Sequence, residues 1–156
     1  MGPILAAFDH EFRQLDKQSR ELLEKLTEEQ LFRRPDASVV SLTPFSCGEY
    51  ILRSAAAVEQ TFDGLTTRLW DDPFEWTLPE KLSTREAIFQ YLDEVEHTRR
   101  RGFAFFTSDS DLSREIPSPK KMRSLAAILA DTLVRASSLQ GRALALHQVI
   151  AHKATS

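Results

Sequence analysis

Residues 124–151, SLAAILADTLVRASSLQGRALALHQVIA, form the longest apolar-periodic stretch in the chain. Leu125, Leu129, Thr132, Ala136, Leu139, Ala143, Leu146 and Ile150 recur at alternating steps of four and three, the seam of a helix packed at a shallow angle against its neighbours. At about 1.5 Å per residue the segment makes a rod of roughly 42 Å. A rod with a single apolar stripe needs other helices of similar length to cover it.

Working outward, residues 107–123, TSDSDLSREIPSPKKMR, are polar, contain two prolines and read as a loop into that helix. Before it, Ser83 and Glu86 have capping-box spacing and open a helix to about Phe106, with Ile88, Tyr91, Val95, Gly102 and Phe105 inward. A box at Ser46 and Glu49 opens another to about Trp70, with Ile51, Ala55, Val58, Phe62, Leu65 and Leu69 on one face. The Ala55–Ala57 run there invites close helix approach. The first helix, residues 3–26, aligns Leu5, Phe8, Phe12, Leu15, Ser19, Leu22 and Leu26. Asp9, Glu11 and Asp16 lie toward its start, where negative charge suits the dipole. Thr27 and Gln30 then cap a short turn through Leu31.

Residues 33–45 and 71–82 are Pro-containing connections, and Trp70, Phe74 and Trp76 are expected to close one end of the core. No strand alternation or repeat competes with this pattern. The fold class it predicts is all-α, a four-helix bundle occupying residues 1–156 as one domain. Two of its three connections exceed the about eight residues usual between antiparallel neighbours, which predicts long crossover connections.

Twenty basic and 23 acidic residues leave a net charge of −3, a balance that argues against nucleic acid and against an anionic membrane as partner. No stretch reaches the about 18 apolar residues of a membrane span. Cys47 is the single cysteine, so neither an internal disulfide nor a Cys-based zinc cluster can form, and a reducing cytoplasm is the expected compartment. The start, MGPILAAFDHEF, turns acidic before any apolar run long enough for a signal sequence.

The order of these signals resembles the DinB and YfiT-like bundles. The phrases that carry the likeness are LTEEQLFRRPD after the first helix, SCGEYILR opening the second, DLSREI before the last, and LVRASSLQGRAL within it. Together they cover nearly the whole chain. The resemblance implies a four-helix bundle with an unusual crossover, a homodimer, and a zinc or nickel ion held by three histidines, with thiol-dependent transferase or isomerase chemistry in some members. Residue by residue this chain departs from that site. Seven residues after Ser46 stands Arg53, and aligning residues 140–143 with the family's terminal motif places Arg135 and Leu139 at the other two histidine positions. A one-residue shift puts Leu52 at the first. None of these can ligate a cation, since a guanidinium offers donors only and a leucine offers nothing. No metal or cofactor is expected there.

Two functional readings follow. In the first, the bundle lacks the family's metal and is a binding or interaction protein: Arg53 and Arg135 converge where the family holds its metal and take a small acidic ligand in bidentate fashion, with Leu139 beside them, or an apolar patch at the helical interface meets a partner. Against it stands simple pairing of each arginine with Glu49 or Asp131, the latter in the favourable i,i+4 orientation. The second reading is a metal- or thiol-dependent transferase or hydrolase with a relocated site, either convergence of His10, His97 and His147 or a substrate cleft lined by Arg53 and Arg135. The histidines include no i,i+4 metal pair, His152 lies five residues past His147, and Glu59 and Glu96 read as solvated flanks. Cys47 lies in a helical first turn, where a thiolate could be favoured, yet no histidine lies near it, so an inert half-buried thiol is the expectation. Arg99, Arg100 and Arg101 read as a solvated face. Gly141 matches the family pattern and suggests close approach of another helix, since glycine mid-helix costs about 1 kcal/mol relative to alanine.

Overall fold

A computed structural model describes residues 1–35, 44–73 and 83–154 of the chain, so the expectations for Phe74 and Trp76 fall outside the described residues. Helix dominates it, as the periodicity predicts. The long helices are α1 (Pro3–Lys25), α3 (Cys47–Thr67), α4 (Arg85–Phe103) and α5 (Leu125–Ala154), with a short α2 (Glu28–Phe32) after the first. A 3-10 turn η1 (Asp109–Ser113) and two three-residue strands, β1 (Glu115–Pro117) and β2 (Met122–Ser124), precede α5. No described helix is long and apolar enough to cross a membrane.

Helix α3 lies along both α5 and α4, and α1 packs on α5 and α4 in turn. Their apolar stripes meet in one core containing Leu5, Phe12, Leu22, Ile51, Phe62, Ile88, Leu129 and Ala143. The α3–α5 seam is close because its facing residues are small. There Ser54 Oγ donates to Ala136 O at 2.8 Å, and the Thr61 and Thr132 hydroxyls share a 2.6 Å bond. Gln140 ties α5 to α1, its amide donating to Leu15 O at 2.6 Å and to Ser19 Oγ at 2.7 Å. It sits four residues after Ala136 and three before Ala143, an inward position, so a buried amide must find partners.

Several local expectations change. Helix α4 is capped by Thr84, whose Oγ1 accepts from Ala87 N at 3.1 Å, rather than by Ser83. Leu69 and Phe105, expected inward, are 62% exposed each. Both lie past a helix end, where the 3.6-residue period no longer sets direction: α3 stops at Thr67 and α4 at Phe103, and Phe103 and Phe106 take the inward places. The anion at the start of α1 is not Asp9 but Asp109, whose carboxylate accepts from Ile4 N and Leu5 N, each at 2.9 Å. The helix dipole acts only over the first turn, and Asp9 lies beyond it, paired with Arg13 and Arg99. Gly141 faces open space, since a methyl group there meets nothing within 4 Å. Its glycine is therefore not explained by a neighbouring helix.

The polar segment before α5 is an antiparallel hairpin with Glu115 opposite Ser124, Ile116 opposite Arg123 and Pro117 opposite Met122. Its turn is closed by Ser118, whose backbone N–H and hydroxyl both donate to Lys121 O, at 3.0 and 2.6 Å. Ile116 is buried against Leu125 and Ile128, anchoring the hairpin to the start of α5. The turn residues thereby share a cavity with the α3–α5 seam residues Thr61 and Thr132.

Candidate functional site

Arg53, Arg135 and Leu139 line one cavity of about 200 Å3, together with Ala56, Ala57, Gln60 and Asp72. The three positions singled out by sequence therefore do share a cleft between α3 and α5. Their surroundings differ. Arg53 is committed on its own helix, with Nη2 donating to Glu49 Oε1 at 3.0 Å and its guanidinium lying 3.9 Å over the Phe45 ring. Glu49 is 7% exposed and is thereby turned to Arg53, while Ser46 Oγ caps the Glu49 N–H at 3.2 Å. Arg135 does not pair with Asp131, because Asp131 is taken by Arg123. It is exposed, and its Nη2 reaches Gln60 Oε1 at 3.4 Å.

Gln60 holds the cleft together. Its Nε2 donates to Trp70 O at 3.0 Å while Oε1 faces Arg135. Trp70 arrives there because Arg68 adopts the left-handed conformation (φ 64°) that ends α3, its N–H bonding back to Gly64 O. The reversed chain lays the indole flat on Gly64, where a methyl group would come within 2.3 Å of the ring. Only glycine leaves room for that contact. Trp70 also lines a second, larger cavity of about 530 Å3, bounded by Gln60, Thr61, Arg135 and the hairpin residues Ser118–Lys121. Gln60 and Arg135 belong to both cavities, so the two are parts of one groove. Sequence reasoning missed Gln60, Trp70, Lys120 and Lys121 as cleft residues, since their convergence depends on the hairpin and on the αL turn.

The residues at the three positions singled out by sequence do not fit a cation, for all three are guanidinium or aliphatic whether Arg53 or Leu52 is taken as the first. Among the described residues no group of three or more His, Cys, Asp or Glu side chains is placed to hold a metal ion. His10, His97 and His152 are exposed and His147 is half-buried. Glu59 has a structural partner, accepting from the buried Tyr91 hydroxyl at 2.5 Å, and burial, reinforced by that carboxylate, raises the phenol above its ordinary range.

Cys47 is fully buried rather than half-buried, its thiol donating to Ala143 O at 3.3 Å. Burial pushes it up to about 12, which outweighs the helix N-terminus and leaves the thiol protonated at neutral pH. The folded protein should therefore resist a thiol reagent such as DTNB at pH 8, with the one thiol appearing only in denaturant. Rapid stoichiometric reaction of the native protein would show that the seam opens. Arg99 overturns the solvated-face expectation: it is 4% exposed and paired with Asp9, while Arg100 and Arg101 are exposed.

Comparison with family models, characterised proteins and solved structures gives no match to this chain.

Proposed function

We propose that this protein is a DinB-like four-helix bundle with crossed connections whose family metal cleft serves to bind a small acidic molecule. Support for the crossed topology comes from the packing: the consecutive helices α3 and α4 are neighbours, whereas α5 lies on α3 and α1. The observation that carries the ligand reading is the cleft shared by Arg53, Arg135 and Leu139, in which Arg135 pairs with no described carboxylate. A guanidinium fork with its donors directed at a polar groove recognises a carboxylate or phosphate in bidentate fashion. Leu139, Ala56 and Ala57 offer the apolar wall on which the rest of such a molecule can rest. Arg53, held by Glu49 and Phe45, contributes field and orientation more than a free donor.

Benzoate, a carboxylate on a flat apolar body, is the simplest probe. Hydrogen bonds to charged groups contribute about 1.5–3 kcal/mol, so Arg135→Ala should weaken benzoate binding by about ten- to a hundredfold in calorimetric titration. Arg142→Ala, on an exposed stretch of the same helix away from the cleft, should leave it unchanged. Unaltered affinity in Arg135→Ala would end the reading.

A further inference from the structure

The cleft around Arg53 measures about 200 Å3, below the about 300–1,000 Å3 of small-molecule sites, whereas the compartment under the hairpin, at about 530 Å3, falls within that range. A ligand held by Arg135 whose body outgrows that cleft therefore has its room on the hairpin side. That compartment is lined by Lys120, Lys121, Arg123 and Arg135 against one carboxylate, Asp131, in a chain whose net charge is −3. Arg123 is already satisfied by Asp131 and by Ala127 O at 3.3 Å. Lys120, Lys121 and Arg135 form no ion pair with a described residue. Three cations thus face one concave space without compensating charge.

Apolar surface lies beside them, in Trp70 and Ile128. The indole packs on Gly64 and also lines this compartment, to which it contributes flat apolar surface. Thr61, Thr132 and Gln60 add hydroxyl and amide groups on the seam.

We infer that the hairpin compartment binds a phosphate monoester with a flat, apolar body, its phosphate held by Lys120, Lys121 and Arg135 and its body against Trp70. The inference rests on the anion-cleft reading and narrows it from acids in general to a dianion. A single carboxylate leaves most of the three cations uncompensated, whereas a phosphate monoester carries up to two charges and three acceptor oxygens at neutral pH. Lysine serves as a mobile point charge for phosphate and arginine as the planar fork. The concave grouping of these cations separates this from a nucleic-acid footprint, which spreads cations along an open face.

The test uses the full chain carrying Trp76→Phe, which leaves Trp70 as its single indole, with phenyl phosphate, inorganic phosphate and benzoate as probes. Phenyl phosphate should change Trp70 emission and bind about tenfold or more tightly than either other probe, over benzoate through the added charged contacts and over inorganic phosphate through burial of the ring against Trp70. Added salt should weaken it, since these lysines are exposed and screened. Lys120→Gln with Lys121→Gln, both in an exposed turn closed through backbone groups, should raise the phenyl phosphate dissociation constant about tenfold or more while benzoate binding stays within about twofold. If benzoate binds through Arg135 but phenyl phosphate gains nothing over inorganic phosphate, or ignores the lysine substitutions, the phosphate site is wrong and the general cleft stands. If neither benzoate nor phenyl phosphate binds, both readings fall.

Discussion

Replacing Arg99 with methionine should lower the free energy of unfolding by about 3–5 kcal/mol, the cost of breaking a buried ion pair by removing one partner. Arg99 is 4% exposed on α4 and grips Asp9 of α1, with Glu96 Oε1 a further 3.8 Å from Nη2. Without the guanidinium, the partner left to Asp9 among the described residues is Arg13, exposed and at 3.2 Å, which contributes little. The cluster around it is already crowded with carboxylates. Asp16 close by has its carboxyl raised by burial in spite of the Arg20 bond at 2.8 Å. A buried pair is weak evidence for net stability, because two apolar residues of similar volume often do as well. Asp9→Leu combined with Arg99→Met should therefore recover half or more of the single-variant loss. Urea unfolding of the two variants decides it, and a loss under about 1 kcal/mol for Arg99→Met would show that the contact is not what joins α1 to α4.

The aromatic cluster gives the second large effect. Phe62 is fully buried, edge-on to Phe12 at 5.2 Å and tilted against Phe103 at 5.1 Å between ring centroids. Phe62→Ala should cost about 3–5 kcal/mol through lost burial and the cavity left behind. Its ring also lies over Gly102 of α4, where a methyl group would approach Phe62 Cδ1 to 2.3 Å. Gly102→Ala alone should therefore destabilise by about 1–3 kcal/mol through overpacking, despite alanine's better helix propensity. In the Phe62→Ala background the same methyl enters vacated space, and its cost should vanish or reverse. Additive losses in that double-variant cycle would mean that Gly102 is glycine for some reason other than Phe62.

These contacts also show what the chain reveals before folding. The long helices are legible because Leu5, Phe12, Ile51, Phe62, Ile88 and Leu129 recur with a period that only a helix satisfies, and because Thr27 and Ser46 announce helix starts. Arg99 was legible in principle: it follows Val95 by four and precedes Gly102 by three, so it lies on the inward stripe. Reading it with Arg100 and Arg101 as one charged face ignored that successive helical residues point about 100° apart. Gln140 carries the same signal between Ala136 and Ala143.

The hairpin was not legible. Its strands are three residues each, too short for alternation to register, and the prolines at 117 and 119 imitate an ordinary loop. What fixes it is the burial of Ile116 on Leu125 and Ile128, a tertiary contact. The site divides in the same way. Arg53, Arg135 and Leu139 could be placed by register on two helices, whereas Lys120 and Lys121 enter the groove only through the hairpin. Trp70 enters only because Arg68 reverses the chain onto Gly64.

The central claim is that the cleft between α3 and α5 holds an anion through Arg135. Nitrogen-detected NMR of the arginine side chains during a benzoate titration tests it most directly. The account predicts saturable shifts of the Arg135 and Arg53 guanidinium signals and of the Gln60 side-chain amide, with Arg100, Arg101 and Arg142 unmoved. Equal, non-saturating drift of all the arginines, or shifts that omit Arg135, would contradict it.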